Sequence, residues 1–400
     1  MSRIVVIGAG QAGASLTSKL RALGHEGEII LIGEEPAPPY QRPPLSKKYL
    51  LGEMGLDRMY LKPEAAYAEA GIELRTGTRV EAVDAKAKTI DVGGETLCFD
   101  QLAFTTGSAA RTLPADVGDL AGVYTVRTLA DVDAMAGAFA KGGHVLIIGG
   151  GYIGLEAAAV AAQKGLQTTL IEAADRILKR VAAPETSEFF RKLHQGHGVE
   201  IREGTGLARL IGNGHVSGAE LSDGTTLEID FAIVGVGIDP CTSLAESAGI
   251  TCENGIRVDA KGETSVPGIW AAGDCASFPY KGARIRLESV PNAIDQAEVV
   301  AANMLGAGQD YIAKPWFWSD QYDVKLQIAG LNTGYDNVVV RDTEKAQSNW
   351  YYKGDELLAV DAMNDARGYM IGKRLIEAGK SPAPEDIANP GTDLKALLKA

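Results

Sequence analysis

Residues 145–156 read VLIIGGGYIGLE, an apolar run of strand character that breaks into a series of glycines. Gly149, Gly151 and Gly154 match the pattern G-x-G-x-x-G. The first glycine of this pattern permits a tight bend, the second lets the backbone approach a pyrophosphate, and the third lets helix and strand pack closely. The following helix would present free amide groups to the phosphates. The stretch therefore predicts a dinucleotide-binding unit.

The residues around this turn extend the prediction. The expected order is a strand over 144–148, a helix to Lys164, a strand over 167–171 and then Glu172. A carboxylate at that strand end favours the 2′-hydroxyl of NAD and repels the 2′-phosphate of NADP. Glu172 therefore indicates NADH, although Arg176, four residues on, could accommodate a phosphate.

The same device occurs at the start of the chain, where residues 4–13 read IVVIGAGQAG. Gly8, Gly10 and Gly13 hold the three glycine places, and Glu34 would accept a hydrogen bond from a ribose hydroxyl. The predicted strand, helix and strand of this unit are 3–7, 11–23 and 28–32. Two such copies predict two bound dinucleotides, one held permanently and one exchanged, for which flavin and nicotinamide are the natural pair.

Composition narrows the class of protein. The 400 residues predict two or three domains, and the net charge of −13 argues against nucleic-acid binding, which needs a basic surface. The chain enters a strand directly after Met-Ser, so we expect no signal peptide, and its most apolar stretch is interrupted by glycines and Glu156, so we expect no membrane span. Four scattered cysteines predict reduced thiols in a cytoplasmic protein and no cysteine-ligated metal.

A third motif, TSVPGIWAAGDCA at residues 264–276, indicates which permanent cofactor is bound. A short apolar strand ends here in Gly273 and Asp274, and such an aspartate can hold the ribitol chain of a flavin. With this motif, the sequence resembles the FAD-dependent pyridine nucleotide reductases.

Within that superfamily the chain resembles the putidaredoxin reductase type, the NADH-dependent ferredoxin reductases of bacterial P-450 monooxygenases and ring-hydroxylating dioxygenases. The resemblance spans almost the whole chain. It rests on four stretches, YQRPPLSKKYL (40–50), IIGGGYIGLEAA (147–158), RIRLESVPNAIDQA (284–297) and PWFWSDQY (315–322).

The resemblance implies roles for individual residues. Lys47 would lie beside the flavin N5 and pair with Glu156, because a buried ammonium needs a partner. A helix opening at Pro291 and Asn292 would point its positive end at the flavin, and Trp318 would be the aromatic residue beside the flavin and nicotinamide. Further positions that resemble flavin contacts are Ala12, Arg42, Val80, Arg127 and Val290.

Absent residues separate this chain from other members of the superfamily. Disulfide reductases need a redox cysteine pair, and NADH peroxidases use a cysteine near the PPLSK stretch; here no cysteine precedes Cys98. His194 and His197 have a spacing that could mimic metal ligation, but no third ligand accompanies them, so no metal site is expected. An iron–sulfur cluster needs four properly spaced cysteines, so we expect the one-electron acceptor to be a separate protein or oxygen.

The expected fold is α/β, with two Rossmann-like dinucleotide-binding domains and a C-terminal α+β domain. The predicted FAD-binding domain is discontinuous, and the predicted linkers are residues 108–114 and 235–240. The predicted ranges are 1–112 and 241–313 for the FAD domain, 113–240 for the NAD domain, and 314–400 for the C-terminal interface domain with strands near 338–340, 350–353 and 357–361.

The expected function is transfer of electrons from NADH through FAD to a 2Fe-2S ferredoxin. Lys281, Arg284 and Arg286 are candidate docking residues for this acidic partner. Two alternatives stay open at this point: a flavin NADH oxidase or quinone reductase that uses no thiol, and an interaction protein whose FAD is largely structural.

Overall fold

The computed structural model describes residues 2–118, 120–343 and 346–399. The chain forms two compact units, each assembled from several segments. Unit 1 contains Met1–Gln41, Gly55–Ala109 and Ile238–Pro315, and unit 2 contains Arg42–Met54, Ala110–Gly237 and Trp316–Ala400.

Strands are numbered in chain order. They are β1 Ile4–Ile7, β2 Ile29–Ile32, β3 Ile72–Arg75, β4 Val80–Asp84, β5 Thr89–Val92, β6 Glu95–Cys98, β7 Gln101–Phe104, β8 Ser108–Ala110, β9 Val123–Tyr124, β10 His144–Ile148, β11 Gln167–Glu172, β12 Glu200–Glu203, β13 Leu207–Gly212, β14 Val216–Leu221, β15 Thr226–Glu228, β16 Phe231–Val234, β17 Ile238–Pro240, β18 Ile256–Arg257, β19 Ile269–Ala271, β20 Ala276–Tyr280, β21 Ala283–Ile285, β22 Trp316–Gln321, β23 Val324–Gly330, β24 Asn337–Thr343, β25 Ala346–Lys353 and β26 Glu356–Met363.

The α-helices are numbered in the same way, and short 3₁₀ turns occur at Pro43–Ser46, Leu56–Arg58 and Ala396–Leu398. The helices are α1 Gln11–Ala22, α2 Lys48–Leu51, α3 Glu64–Glu69, α4 Ala115–Gly118, α5 Leu129–Lys141, α6 Tyr152–Gln163, α7 Pro184–Gly196, α8 Ser243–Ser247, α9 Val290–Met304, α10 Ala366–Glu377 and α11 Pro384–Ala388. None of these helices, as far as the chain is described, is long and apolar enough to cross a membrane.

Unit 1 is built on a parallel sheet with the strand order β19-β7-β1-β2-β3. β1 and β2 are buried along their whole length, which explains why both read as continuous apolar runs. Ala12, Leu16 and Leu20 of α1 share one core with Ala293 and Ala297 of α9. The two helices that follow the first glycine turn and the Gly273–Asp274 motif therefore lie side by side within this unit.

Unit 2 contains a second parallel sheet, ordered β12-β11-β10-β16-β9. β10 and β16 lie at its centre, where Leu146, Ile148 and Val234 belong to one buried core. α6 follows β10 through the second glycine turn, and Leu155 to Ala161 of this helix are buried. A buried helix and buried strands together account for the long apolar run that begins at Val145.

The C-terminal part of unit 2 is an antiparallel sheet ordered β22-β23-β26-β25-β24. α10 packs on this sheet, where Tyr369, Ile371 and Leu375 join Trp350 and Val360 in a core. Three of these strands were expected from the sequence. β22 and β23 were missed because PWFWSDQY was interpreted as a motif and not as the start of a hairpin.

The predicted fold class is confirmed by both parallel sheets with their glycine turns and by the C-terminal antiparallel sheet. The unit boundaries at 109/110 and 237/238 fall inside the two predicted linkers. The division of unit 2 into an NAD domain and a C-terminal domain stays a prediction. Residues 42–54 group with unit 2 and not with the expected first domain, since Arg42, Ser46 and Lys47 bond to residues of that unit.

Candidate functional site

The first glycine turn, in unit 1, leaves an open space at the start of a helix. Gly8 has φ +111°, and a β-carbon there would lie 2.3 Å from the carbonyl oxygen of Thr105. A β-carbon on Gly13 would lie 2.2 Å from Gly8 O, so helix and strand approach as closely as glycine allows. Gly10 is different, because no atom would lie within 4 Å of its β-carbon and no side chain caps α1. Uncapped amides facing free space fit a pyrophosphate.

The second glycine turn, in unit 2, repeats this arrangement. Gly149 has φ +108°, and its β-carbon would lie 2.5 Å from Gly235 O. The β-carbon of Gly154 would lie 2.0 Å from Gly149 O, while Gly151 faces open space and precedes a helix with no side-chain cap. The donor set again fits a pyrophosphate, so each unit has its own dinucleotide cradle.

The two expected ribose acids have different surroundings. Glu34 is exposed and pairs with Arg79, with 2.8 Å between Oε1 and Nη1. Glu172 Oε2 accepts a hydrogen bond from the Gly150 amide at 2.7 Å, and its Oε1 accepts one from Ala174 at 2.8 Å. Glu172 is therefore held against the second glycine turn.

The Gly273–Asp274 motif lies next to the first glycine turn. Gly273 has φ +81°, and its β-carbon would lie 3.0 Å from Cβ of Ala12. Its amide donates to Gln296 Oε1 at 2.9 Å. The structure thus brings Asp274, which is half-buried, to the same end of the parallel sheet as the turn. That placement fits a group extending from the pyrophosphate along the strand ends.

α9 begins at Val290, with Pro291 in its first turn, as expected from the sequence. Ser289 caps the helix by accepting a hydrogen bond from the Asn292 amide at 3.3 Å. The Asn292 side chain is buried and bonds inward to Leu287 O and to the hydroxyl of Tyr311. What α9 can offer a ligand is therefore the dipole and the backbone of its first turn, and not the Asn292 amide.

Lys47 and Glu156 form the ion pair that the resemblance implies, with 2.8 Å between Nζ and Oε1. The Glu156 side chain is 2% exposed and the Lys47 side chain is 15% exposed, so the pair is almost withdrawn from water. Ser46 donates to Glu156 Oε2 at 2.5 Å and Ser319 donates to Oε1 at 2.6 Å. Three donors therefore converge on one buried carboxylate.

The two serines were not anticipated from the sequence. Ser46 lies beside Lys47 in PPLSK, and Ser319 lies beside Trp318 in PWFWSDQ. The family resemblance draws attention to both stretches, but through Lys47 and Trp318 and not through the serines. The signal was therefore present, but only the fold shows that both hydroxyls meet the same carboxylate.

Trp318 is half-buried on β22 and stacks on Trp316, with 5.5 Å between ring centroids. Phe317, between them in sequence, packs on Tyr152 of α6, with 5.0 Å between the ring centroids. β22 therefore presents Trp318 and Ser319 from adjacent positions, and Ser319 reaches Glu156.

The remaining expected contacts are spread over both units. Arg42 donates to the carbonyl oxygen of Arg127 at 2.6 Å in unit 2, which brings these two arginines together. Val80 is buried at the start of β4 in unit 1.

Arg176 does not lie free to receive a 2′-phosphate. Its guanidinium donates to Ser187 Oγ at 2.6 Å and to Ala182 O at 2.8 Å. These bonds hold the loop before α7.

The proposed docking residues are largely turned inward. Arg284 donates to Val258 O at 2.8 Å and also to Ser277 O, and burial lowers its pKa. The Arg286 side chain is 10% exposed and binds Glu288 and Asp274 O. Lys281 is exposed and lies over the ring of Tyr280. Arg284 and Arg286 both hold the local backbone together, and the expectation that they form a docking surface stays a prediction.

The histidine and cysteine side chains offer no redox or metal centre within the described part of the chain. His194 Nε2 lies 2.8 Å from Gln321 Oε1, and the exposed His197 stacks on Tyr322. No described group of three His, Cys, Asp or Glu could hold a metal ion. None of the four cysteines is in a disulfide, and burial raises the pKa of the Cys252 thiol to about 11 and also raises that of Cys275.

Comparison with known proteins places this geometry in a family. Residues 2–297 match the pyridine nucleotide-disulphide oxidoreductase model, and residues 316–398 match the reductase C-terminal model. The chain is 44% identical to a ferredoxin–NAD(P)⁺ reductase of Sphingomonas, over 99% of this chain and 97% of that protein. It is 37% identical to putidaredoxin reductase of Pseudomonas putida, over 99% and 97% of the two chains.

A solved structure gives the same result. The reductase of a covalent putidaredoxin reductase–putidaredoxin complex superposes with a TM-score of 0.95 at 36% identity, covering 100% of this chain and 98% of that one. The chain therefore belongs to the pyridine nucleotide-disulphide oxidoreductase family, among its ferredoxin reductases of the putidaredoxin reductase type.

Proposed function

We propose that this chain is an FAD-dependent NADH:ferredoxin reductase. It passes electrons from NADH to a 2Fe-2S ferredoxin, which supplies a P-450-type monooxygenase or a ring-hydroxylating dioxygenase in the cytoplasm. The observation that carries this proposal is the pair of glycine turns, each with an uncapped helix and open space at Gly10 or Gly151. When bound, the flavin takes a hydride from NADH and returns its electrons singly.

Unit 1 would hold the FAD. The amides at the start of α1 bind the pyrophosphate, Glu34 accepts from the adenosine ribose, and Asp274 holds the ribitol chain. Ala12 and Gly273 keep the two motifs in contact, and the first turn of α9 at Val290 and Pro291 directs its positive dipole end towards the flavin ring. Arg42, Val80 and Arg127 complete the proposed FAD contacts.

Unit 2 would bind NADH at Gly149, Gly151 and Gly154. Glu172 would accept from the adenosine ribose of NADH, and its fixed position against the Gly150 amide keeps a negative charge where NADPH carries a phosphate. Arg176 is bonded to Ser187 and Ala182, and so it does not offset that charge. Both observations favour NADH over NADPH.

Lys47, Glu156 and Trp318 are the proposed catalytic residues. The Lys47 ammonium would stabilise negative charge that arrives with the hydride, and the ion pair with Glu156 holds this cation in place. Ser46 and Ser319 hold the carboxylate in one orientation. Trp318 would cover the flavin and nicotinamide and limit the entry of water.

The cysteines support a protein acceptor. Burial raises the thiol pKa of Cys252 and Cys275, so neither is poised as a thiolate nucleophile. The electrons would then leave without an internal disulfide, which suits a one-electron carrier.

The test is NADH-driven reduction of cytochrome c by the purified FAD-loaded chain, with and without a 2Fe-2S ferredoxin. A large ferredoxin-dependent increase is expected. Bleaching of the flavin by NADH with no effect of several ferredoxins would contradict the proposal and favour oxidase or quinone chemistry. A flavin that NADH does not bleach would indicate a structural role.

A further inference from the structure

A buried chain of hydrogen bonds leads from Glu156 to the surface of unit 2. Ser319 Oγ, which bonds Glu156, lies 3.2 Å from Gln321 Nε2. Gln321 Oε1 then lies 2.8 Å from His194 Nε2 on α7. His194, Ser319 and Gln321 each have 0% exposed surface, so water does not compete for these bonds.

The outer end of this chain is Tyr322. Its hydroxyl lies 3.2 Å from His194 Nδ1, and its ring stacks on the exposed His197 at 3.7 Å between centroids. Tyr322 has φ +56°, a left-handed conformation that bulky residues rarely adopt. This conformation belongs to the two-residue turn between β22 and β23, where Gln321 pairs with Val324.

Each bond in the chain has one consistent direction. An ionised carboxylate only accepts, so the Ser319 hydroxyl donates to Glu156 and must itself receive from the Gln321 amide nitrogen. The amide oxygen of Gln321 then accepts, so His194 carries its proton on Nε2 and accepts at Nδ1 from Tyr322. Every donor therefore points towards Glu156.

We propose that His194, acting through Gln321 and Ser319, is a positioning residue for the Lys47–Glu156 pair. The neutral imidazole with its proton on Nε2 aligns the Gln321 amide, which aligns the Ser319 hydroxyl on Glu156 Oε1. The carboxylate therefore keeps its orientation towards Lys47. This inference rests on the proposed function, in which Lys47 contacts the flavin.

Burial supports the neutral state of the imidazole. It lowers the pKa of His194 to about 4, so the ring is uncharged at neutral pH. A charged ring would donate from both nitrogens and would lose the acceptor that receives the Tyr322 hydroxyl.

The inference is tested by His194→Gln and His194→Asn in the FAD-loaded full chain. The amide nitrogen of glutamine reaches the place of Nε2 and can donate to Gln321, whereas that of asparagine reaches only the place of Nδ1. Ser319→Ala removes the last donor to Glu156. His215→Asn, at an exposed histidine of unit 2 that contacts no member of the hydrogen-bonded series, is the control.

The readout is the ratio of reduced to oxidised flavin at a fixed redox poise. A Glu156 carboxylate that is no longer held in its orientation towards Lys47 balances this cation less well, and a less balanced cation favours the reduced flavin. We expect Ser319→Ala and His194→Asn to raise the ratio about threefold, because one hydrogen bond to a charged group is weakened. His194→Gln and His215→Asn are expected to keep the wild-type ratio. ¹⁵N spectra of the histidine-labelled wild type should show the proton of His194 on Nε2.

Several outcomes would overturn the inference. They are a proton on Nδ1, a wild-type ratio in His194→Asn, or equal shifts in His194→Asn and His194→Gln. If His194→Asn does not fold, Gln321→Met cuts the same chain and decides in its place. A wild type that does not reduce ferredoxin refutes the proposed function, whereas an active wild type with unshifted variants refutes only the role of His194.

Discussion

The two glycine turns share their steric design but differ at the end of the neighbouring strand. In unit 1, Ile7 pairs with Ile32 and the next residue on β2's side is Gly33; in unit 2, Ile148 pairs with Ile171 and the next residue is Glu172. Gly33 and Glu172 therefore occupy equivalent positions, of which only the second carries a side chain. The carboxylate of unit 1, Glu34, lies one position further along its strand end than Glu172 does in unit 2.

Each turn compensates for this difference. A β-carbon on Gly33 would lie 2.5 Å from Cβ of Ala9, so the first turn uses that space for the Ala9 methyl. In the second turn Gly150 takes the place of Ala9, and a β-carbon there would lie 3.2 Å from Cβ of Glu172. The second turn therefore has its carboxylate bonded to the turn itself, whereas the carboxylate of the first stands at the surface. The two turns therefore differ in where the side chain stands. The first has it in the turn, at Ala9, and the second has it at the strand end, at Glu172.

The largest effect is expected where the two turns are alike. Gly13→Ala and Gly154→Ala each place a β-carbon within 2.2 Å of a carbonyl oxygen. Each is expected to destabilise its unit by about 3 kcal/mol, as overpacking does. Thermal unfolding and flavin content measure this, and Gly137→Ala in α5, with no atom within 4 Å of its β-carbon and no positive φ, is the matched control without a clash. Unfolding at the wild-type temperature would refute the close approach.

Unit 2 also holds two buried titratable groups with opposite effects on stability, Asp361 and His194. Burial raises the pKa of Asp361 to about 6, so the native state keeps a proton that the unfolded chain loses, and stability falls as pH rises from 4 to 6. Burial lowers the pKa of His194 to about 4, so stability falls as pH drops from 6.5 to 4. Each contribution is about 3 kcal/mol and the two oppose each other.

In Asp361→Asn, the free energy of unfolding should therefore fall more steeply than in the wild type as the pH drops, because only the effect of His194 is left. In His194→Gln this fall at acidic pH should be absent. Urea unfolding between pH 4 and 7 gives the slopes. The wild type is expected to lie between the two variants. Three parallel pH profiles would show that neither group is buried as described.

Glu172→Gln breaks the contact that distinguishes the second turn. Glutamine has one acceptor oxygen for the two amides of Gly150 and Ala174, so one charge-assisted bond is lost. The dissociation constant for NADH is expected to rise about tenfold with flavin content unchanged. Titration of the FAD-loaded variant measures it, and an unchanged constant would count against Glu172 as a binding residue.

Glu34→Gln should have the smallest effect. Its carboxylate makes an exposed pair with Arg79, and such pairs contribute about 1 kcal/mol or less. FAD affinity is expected to fall less than threefold. Flavin release followed by fluorescence measures it. A loss as large as that of NADH affinity in Glu172→Gln would show that the two acids are equivalent after all.

Local patterns predicted the elements that carry the cofactors. The apolar runs at β1 and β10, and the glycines after them, are contiguous in sequence, so the strand–turn–helix units could be recognised with errors of one residue at their ends. The pairing of Lys47 with Glu156 required the family resemblance, because 109 positions separate the two residues.

Other features depend on tertiary contacts that leave no local pattern. The sequence does not show that Ser319 and His194 belong to one hydrogen-bonded chain, since they lie on a strand and a helix far apart in the chain. Arg284 looks like a surface cation in the sequence, and only the carbonyls of Val258 and Ser277 around it explain its inward orientation. Segment 42–54 joined unit 2 for the same reason, through bonds to distant residues.

Gly10→Ala and Gly151→Ala test whether each turn binds its own dinucleotide. A β-carbon at either position meets no atom of the protein within 4 Å, so both variants should fold and only a bound pyrophosphate would clash. Flavin content and the rate of flavin bleaching by NADH are measured for each. The account predicts that Gly10→Ala loses FAD, whereas Gly151→Ala keeps FAD and is bleached at least tenfold more slowly at low NADH. Loss of FAD from Gly151→Ala, or full retention of both properties in either variant, would contradict it.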